Sequence, residues 1–123
     1  MQLWVTYTEN PETTDPGEDS DDEWRWQGVT NMHGRFDRIH EAQPKSYLHQ
    51  GPFKVEAQPG DTVQVVWCTY ANGSTFGCTD GQFDCLGIVK TKGEIAALKE
   101  KAKSIHDDYF GWLEAVYVDP VVV

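Results

Sequence analysis

The sequence predicts an α+β domain in which a mixed or antiparallel sheet carries one long amphipathic helix. Three observations lead there. Thr62 to Tyr70 alternates as a strand does, with Val63, Val65, Trp67 and Thr69 on one face and Gln64, Val66, Cys68 and Tyr70 on the other. Thr91 precedes Glu94 by the spacing of a capping box, and Ile95, Leu98, Ala102, Ile105 and Tyr109 then share one stripe of a helix over about 93–108. Finally, Trp4-Val5-Thr6-Tyr7 returns as Trp67-Cys68-Thr69-Tyr70 half a chain length later. That recurrence fits two tandem β-β-α-β units, 1–60 and 61–123, within a single domain 1–123. The alternative reading is one irregular α+β domain without duplication.

The elements follow in order. Gln2 to Thr8 is rich in Trp, Val, Thr and Tyr and reads as a strand ending at Asn10-Pro11. Residues 9–23 contain no apolar side chain and read as a solvated acidic loop. Trp24 to Val29 alternates apolar and polar residues as a second strand, so that a long acidic hairpin joins the two. Met32, Phe36 and Ile39 fall near helical spacing, and Gly34 and Pro44 confine that helix to about 35–42. Phe53 to Gln58 is a short strand, followed by the turn Pro59-Gly60-Asp61. Thr62 to Tyr70, apolar on both faces, belongs at the centre of its sheet. Asn72-Gly73 and Asp80-Gly81 read as turns, with a returning strand from about Gln82 to Lys90. After the helix, Trp112 to Val118 forms the last strand.

The chain has 123 residues, 39% of them hydrophobic, with five each of Trp, Tyr and Phe, which excludes a wholly disordered chain. A domain of this length buries roughly two-thirds of its unfolded surface and needs no metal or disulfide to fold. The formal charge is −10. Eight of the 20 acids and none of the 10 bases lie in residues 1–24, so the remainder is nearly neutral. This balance argues against direct nucleic-acid binding and against anionic membranes, and favours a partner with a basic surface. The start lacks the basic and apolar regions of a secretory signal, and no apolar run reaches the ~20 residues of a membrane span, so a cytoplasmic protein is expected. Cys68, Cys78 and Cys85 are then free thiols.

The stretch Tyr70-Ala71-Asn72-Gly73-Ser74-Thr75-Phe76-Gly77, with Gly87-Ile88-Val89, a helix and Tyr109-Phe110-Gly111-Trp112-Leu113 after it, resembles a group of small bacteriophage-encoded proteins. The resemblance covers about 62–119. It implies an accessory protein acting in the host cytoplasm and brings no catalytic residues with it.

Constellations for chemistry are few. Gly73, Gly77, Gly81 and Gly87 could present backbone N–H groups to a phosphate, but a strand rather than a helix follows them, which favours tight turns. Cys78 and Cys85 with two of His33, His40, His49 and His106 could be assembled into a zinc site only on paper, because their spacing is wrong for a structural knuckle. No metal and no cofactor are therefore expected. Cys68 reads as a small buried hydrophobe, and nothing local activates Cys78 as a nucleophile. Trp67 and Trp112 read as core. Trp24 and Trp26 share one strand face beside the acidic loop, which suits either core or an exposed aromatic pair.

The expected function is that of a non-enzymatic accessory protein that binds and modulates a host protein. Its partner-binding residues are Glu18, Asp19, Asp21, Asp22, Glu23, Trp24 and Trp26. The alternative is a nucleotide or small-molecule sequestering protein with its pocket between the two units, near Arg25, Arg35 and Arg38.

Overall fold

In the computed structural model the backbone is described for residues 1–13, 29–74, 77–107 and 111–123, and the side chains for these except 11–13, 29–31, 74, 77 and 78. The elements are β1 (Gln2–Thr13), β2 (Val29–His40), β3 (His49–Lys54), β4 (Thr62–Ser74), β5 (Gly77–Val89), α1 (Lys92–His106) and β6 (Gly111–Val122). The strands run in the order β3-β1-β2-β5-β4-β6. This is an α+β arrangement of two antiparallel triplets, β3-β1-β2 and β5-β4-β6. The triplets meet through three parallel pairs, Val29 to Asn31 against Cys78 to Asp80. In each triplet the first strand in sequence lies in the middle.

Both triplets contribute to one core. Leu3 and Val5 from β1 join Val63, Val65 and Trp67 from β4 and Phe83, Cys85 and Ile88 from β5. The Tyr7 and Phe83 rings stack at 4.4 Å, and Phe83 lies 5.3 Å from Trp67. The other face of β4 is buried too: Val66 and Cys68 are inaccessible. This face lies towards α1, whose Leu98 packs on Gly87. The alternation predicted for β4 therefore appears in the structure, and the strand is the middle one of its triplet, although in the six-stranded order it lies next to the edge strand β6. The α1 capping box is also formed, with Glu94 N–H donating to the Thr91 hydroxyl at 3.2 Å and Thr91 N–H donating to Glu94 Oε1 at 3.2 Å.

Several expectations are corrected. Residues 9–13 belong to β1 and pair with β2 up to Thr13 opposite Thr30, so the acidic loop does not begin at Glu9. The strand expected at 24–29 lies outside the described residues except for Val29, the first residue of β2. The helix expected at 35–42 is a strand. Met32, Gly34 and Phe36 alternate with exposed His33, Arg35 and Asp37. Asp37 is then skipped where Arg38 pairs with Thr6 and Phe36 with Tyr7. This bulge shifts the phase and brings Ile39 to the inner side, so a bulged strand imitates the i, i+4, i+7 spacing of a helix.

β3 begins earlier than expected, at His49, and ends at Lys54, while β4 runs straight through Asn72-Gly73. Asp80-Gly81 is a kink inside β5, where Gly81 has φ +70°. On α1 the residues with reduced exposure are Ile95, Leu98, Ala102 and His106, whereas Ile105 is 48% exposed. Trp112, expected in the core, is also 48% exposed, because β6 is an edge strand.

The first half, among the described residues, contains three strands and no helix, unlike the expected β-β-α-β unit. The repeated tetrapeptide is also not equivalent in space. Val5 and Tyr7 point into the core from β1, whereas on β4 it is Trp67 that does so, with Cys68 on the opposite face.

Candidate functional site

A cleft of about 850 Å³ opens where β2 approaches β5 and β6. Two glycines make that approach possible. A Cβ on Gly34 would stand 2.7 Å from the Gly81 carbonyl oxygen, and one on Gly81 would stand 1.7 Å from the Met32 carbonyl oxygen. The backbones thus cross with no room for a side chain, and the positive φ of Gly81 reinforces the requirement for glycine.

Beyond this crossing no strand among the described residues pairs with β5 on the side away from β4, and side chains take over several of its N–H groups. Gly81 N–H donates to Glu114 Oε1 at 2.7 Å, Phe83 N–H to Glu9 Oε1 at 3.2 Å and Cys85 N–H to Gln50 Oε1 at 2.5 Å. Glu9 on β1 and Gln50 on β3 thereby fasten β5 to the other triplet, where leaving the Phe83 and Cys85 amides without partners would be costly, whereas Glu114 on β6 braces the Gly81 kink from within the β5-β4-β6 triplet.

The cleft floor is aromatic and its rim acidic. Trp67 stacks on Tyr117 at 4.3 Å, and its indole N–H donates to Asp119 Oδ2 at 2.6 Å. Tyr117 is 44% exposed, which leaves one aromatic surface open to a ligand. Asp37, Asp80, Glu114 and Asp119 line the same space, with Arg35 and His33 from β2. Glu114 reaches it through a β-bulge: Thr69 pairs with Ala115 and Tyr70 with Leu113, so Glu114 is the unpaired residue of β6. Partial burial, and then the hydrogen bond and negative charge of Asp80, push the Glu114 carboxyl up to about 6.

A second cluster lies on the opposite face of β4 and β5, at the carboxyl-terminal end of α1. Cys68 and Asp84 are cross-strand partners, and His106 Nε2 is 2.8 Å from Asp84 Oδ2. The Tyr70 ring stacks on the His106 imidazole at 4.1 Å, and Gln50 Nε2 donates to Asp84 Oδ1 at 3.0 Å. One donor atom from each of Cys68, Asp84 and His106 lies within 4.8 Å of the others. Burial, with the Asp84 charge adding to it, pushes the Cys68 thiol up to about 12, so this cysteine is no thiolate nucleophile at neutral pH. Cys85 is likewise pushed up to about 12 by burial.

The residues singled out from the sequence, Glu18, Asp19, Asp21, Asp22, Glu23, Trp24 and Trp26, all lie outside the described residues, as does Arg25. Of the arginines near the proposed pocket, Arg35 lines the cleft and Arg38 stands 4.0 Å from Asp37. The zinc set considered from the sequence is not the one the fold assembles: Cys68, read as a plain hydrophobe, joins His106, whereas Cys85 Sγ lies against the Val66 carbonyl oxygen at 3.7 Å. Glu114, Asp80 and Asp119 were not distinguished from other acids, and the bulge that aims Glu114 has no sequence signal of its own.

Compared with known proteins, the chain matches no family model, no curated protein and no solved structure. No helix among the described residues is long and apolar enough to cross a membrane.

Proposed function

We propose that this chain is a non-enzymatic accessory protein of the bacteriophage type, and that it binds a host protein by receiving an Arg or Lys side chain in the β2–β6 cleft. The observation that carries the reading is the convergence of Asp37, Asp80, Glu114 and Asp119 around the stacked Trp67 and Tyr117. Carboxylates attract a basic group, and an open aromatic face adds a cation–π contact. Arg35 is the opposing charge, and it biases the cleft towards a cation held on the β6 side. The acids Glu18, Asp19, Asp21, Asp22 and Glu23 add long-range attraction to the same kind of surface, which raises the association rate and weakens with salt.

The test is a titration of the full chain with end-capped Arg and Lys peptides, followed by NMR of the Trp67 and Tyr117 side chains. Shifts confined to the cleft and lost in Asp119→Asn support the reading, and silence of both rings at millimolar peptide removes it. Neutralising the five acids from Glu18 to Glu23 should slow host-protein capture and leave folding intact. Glu9 must be kept in that variant, because its carboxylate holds Phe83 N–H.

One observation favours a second reading, a small-molecule sequestering protein: about 850 Å³ is within the range of ligand pockets, and Arg35 offers an anion contact there. A nucleotide panel in a thermal-shift assay distinguishes the two, since a ligand at 100 times its Kd stabilises by about 2.7 kcal/mol.

A further inference from the structure

We propose that Cys68, Asp84 and His106 form a binding site for a divalent ion of the zinc type, with three protein donors and a fourth position open to solvent. Thiolate, carboxylate and imidazole are the donors such an ion takes, the Cys68 thiol giving its proton to solvent as the metal–sulfur bond forms, and three of them with an open position is the arrangement of an accessible rather than a sealed zinc site. The donors come from β4, β5 and α1 and lie within 4.8 Å of one another. In a tetrahedral zinc site of ordinary bond lengths, neighbouring donor atoms stand about 3.3–3.6 Å apart. The ion would therefore part His106 from Asp84, now 2.8 Å apart, by a fraction of an ångström. It would draw the sulfur inwards by little more than an ångström.

The surroundings already hold the donors in orientation. Gln50, itself fixed by Cys85 N–H, donates to Asp84 Oδ1 and leaves Oδ2 facing the imidazole. The Tyr70 ring, at an interplanar angle of 19°, sets the plane of His106. Such outer contacts fix ligand geometry in metal sites generally. The carboxyl-terminal end of α1 carries partial negative charge, which also favours a cation there. Cys68 is inaccessible, but the Asp84 and His106 side chains retain 23% and 10% exposure, so an ion can enter from their side. Trp67, the neighbour of Cys68 on β4, lines the cleft instead, which makes this site independent of the proposed host-binding surface.

The test is a titration of the reduced full chain with Co(II), followed by displacement with Zn(II). One equivalent should give a thiolate-to-cobalt charge-transfer band and the d–d absorption of four-coordinate cobalt, and Zn(II) should abolish both and raise Tm. Cys68→Ser should remove the charge-transfer band. His106→Ala, in the last turn of α1 and checked for folding by circular dichroism, should lower affinity at least tenfold, and Cys78→Ser should change nothing. A spectrum of six-coordinate cobalt alone, or a charge-transfer band that titrates with unchanged affinity in folded His106→Ala, overturns the proposal and leaves the Asp84–His106 pair as a helix-docking hydrogen bond. If Cys68→Ser does not fold, His106→Ala decides alone.

Discussion

The two triplets have the same strand order, second-first-third, yet cover their middle strands differently. In β5-β4-β6 the middle strand is buried on both faces: Val63, Val65 and Trp67 look into the shared core, and Val66 and Cys68 lie on the α1 side. In β3-β1-β2 the middle strand buries Leu3 and Val5 on one face, while on the other the polar Thr6 is buried, bonded to Asp37 and His40, and Thr8 and Asn10 are exposed. The difference shows that strand order does not determine what a sheet face becomes. The helix turns the outer face of one triplet into a second, smaller packed layer, and the Cys68–Asp84–His106 cluster sits at the end of that layer. The cleft arises instead where the triplets meet.

The strongest way to break this comparison is to prise the triplets apart. Gly81→Ala adds a Cβ that would overlap the Met32 carbonyl at 1.7 Å and strains a positive φ, so a loss of at least about 4 kcal/mol is expected in urea unfolding. Gly34→Ala, tight against Gly81 and Phe83, should follow the same course. Next comes a contrast between outer faces. Val66→Ala should cost about 2–3 kcal/mol because it opens a cavity beneath α1, whereas Thr8→Ala on the exposed face of β1 should stay within about 0.5 kcal/mol.

A smaller effect is expected at Glu114, and its sign follows from linkage. The folded protein holds this proton up to about pH 6, above the ordinary 4.5, so the group's contribution to stability falls as pH rises between those values and is level beyond them. Glu114→Gln keeps an acceptor for Gly81 N–H and gives Asp80 a permanent donor. It should therefore raise Tm above pH 6 and flatten the slope between pH 4.5 and 6 in thermal melts. A small gain of about 0.5–1 kcal/mol is expected for Gly93→Ala in the first turn of α1, where an added Cβ meets nothing within 4 Å.

What the sequence reveals follows the strength of local signals. β4 is legible because its two faces alternate without interruption, and α1 because Thr91 and Glu94 announce its start. β2 is illegible because the bulge at Asp37 breaks its period, and a bulge leaves no mark in composition. The Trp-x-Thr-Tyr recurrence misleads for a related reason: a slip of one residue exchanges the faces of a strand, so identical letters on β1 and β4 do opposite work. The candidate sites depend on long-range crossings. Glu114 meets Gly81 across 33 residues, and His106 meets Asp84 across 22. No local pattern encodes either meeting.

The fastening of β5 by Glu9 and Gln50 has a dynamic consequence. Within each triplet the strands are joined by ladders, but between them there are, among the described residues, three parallel strand pairs and the side-chain bonds of Glu9 and Gln50 over a shared core. Partial opening along this seam would leave both ladders intact, so it is the lowest subglobal opening available to the molecule. In native-state hydrogen exchange, the amides of Phe83 and Cys85 should then exchange together, ahead of those in the middle of β4, whereas Gly81, held by Glu114 within its own triplet, should not follow them.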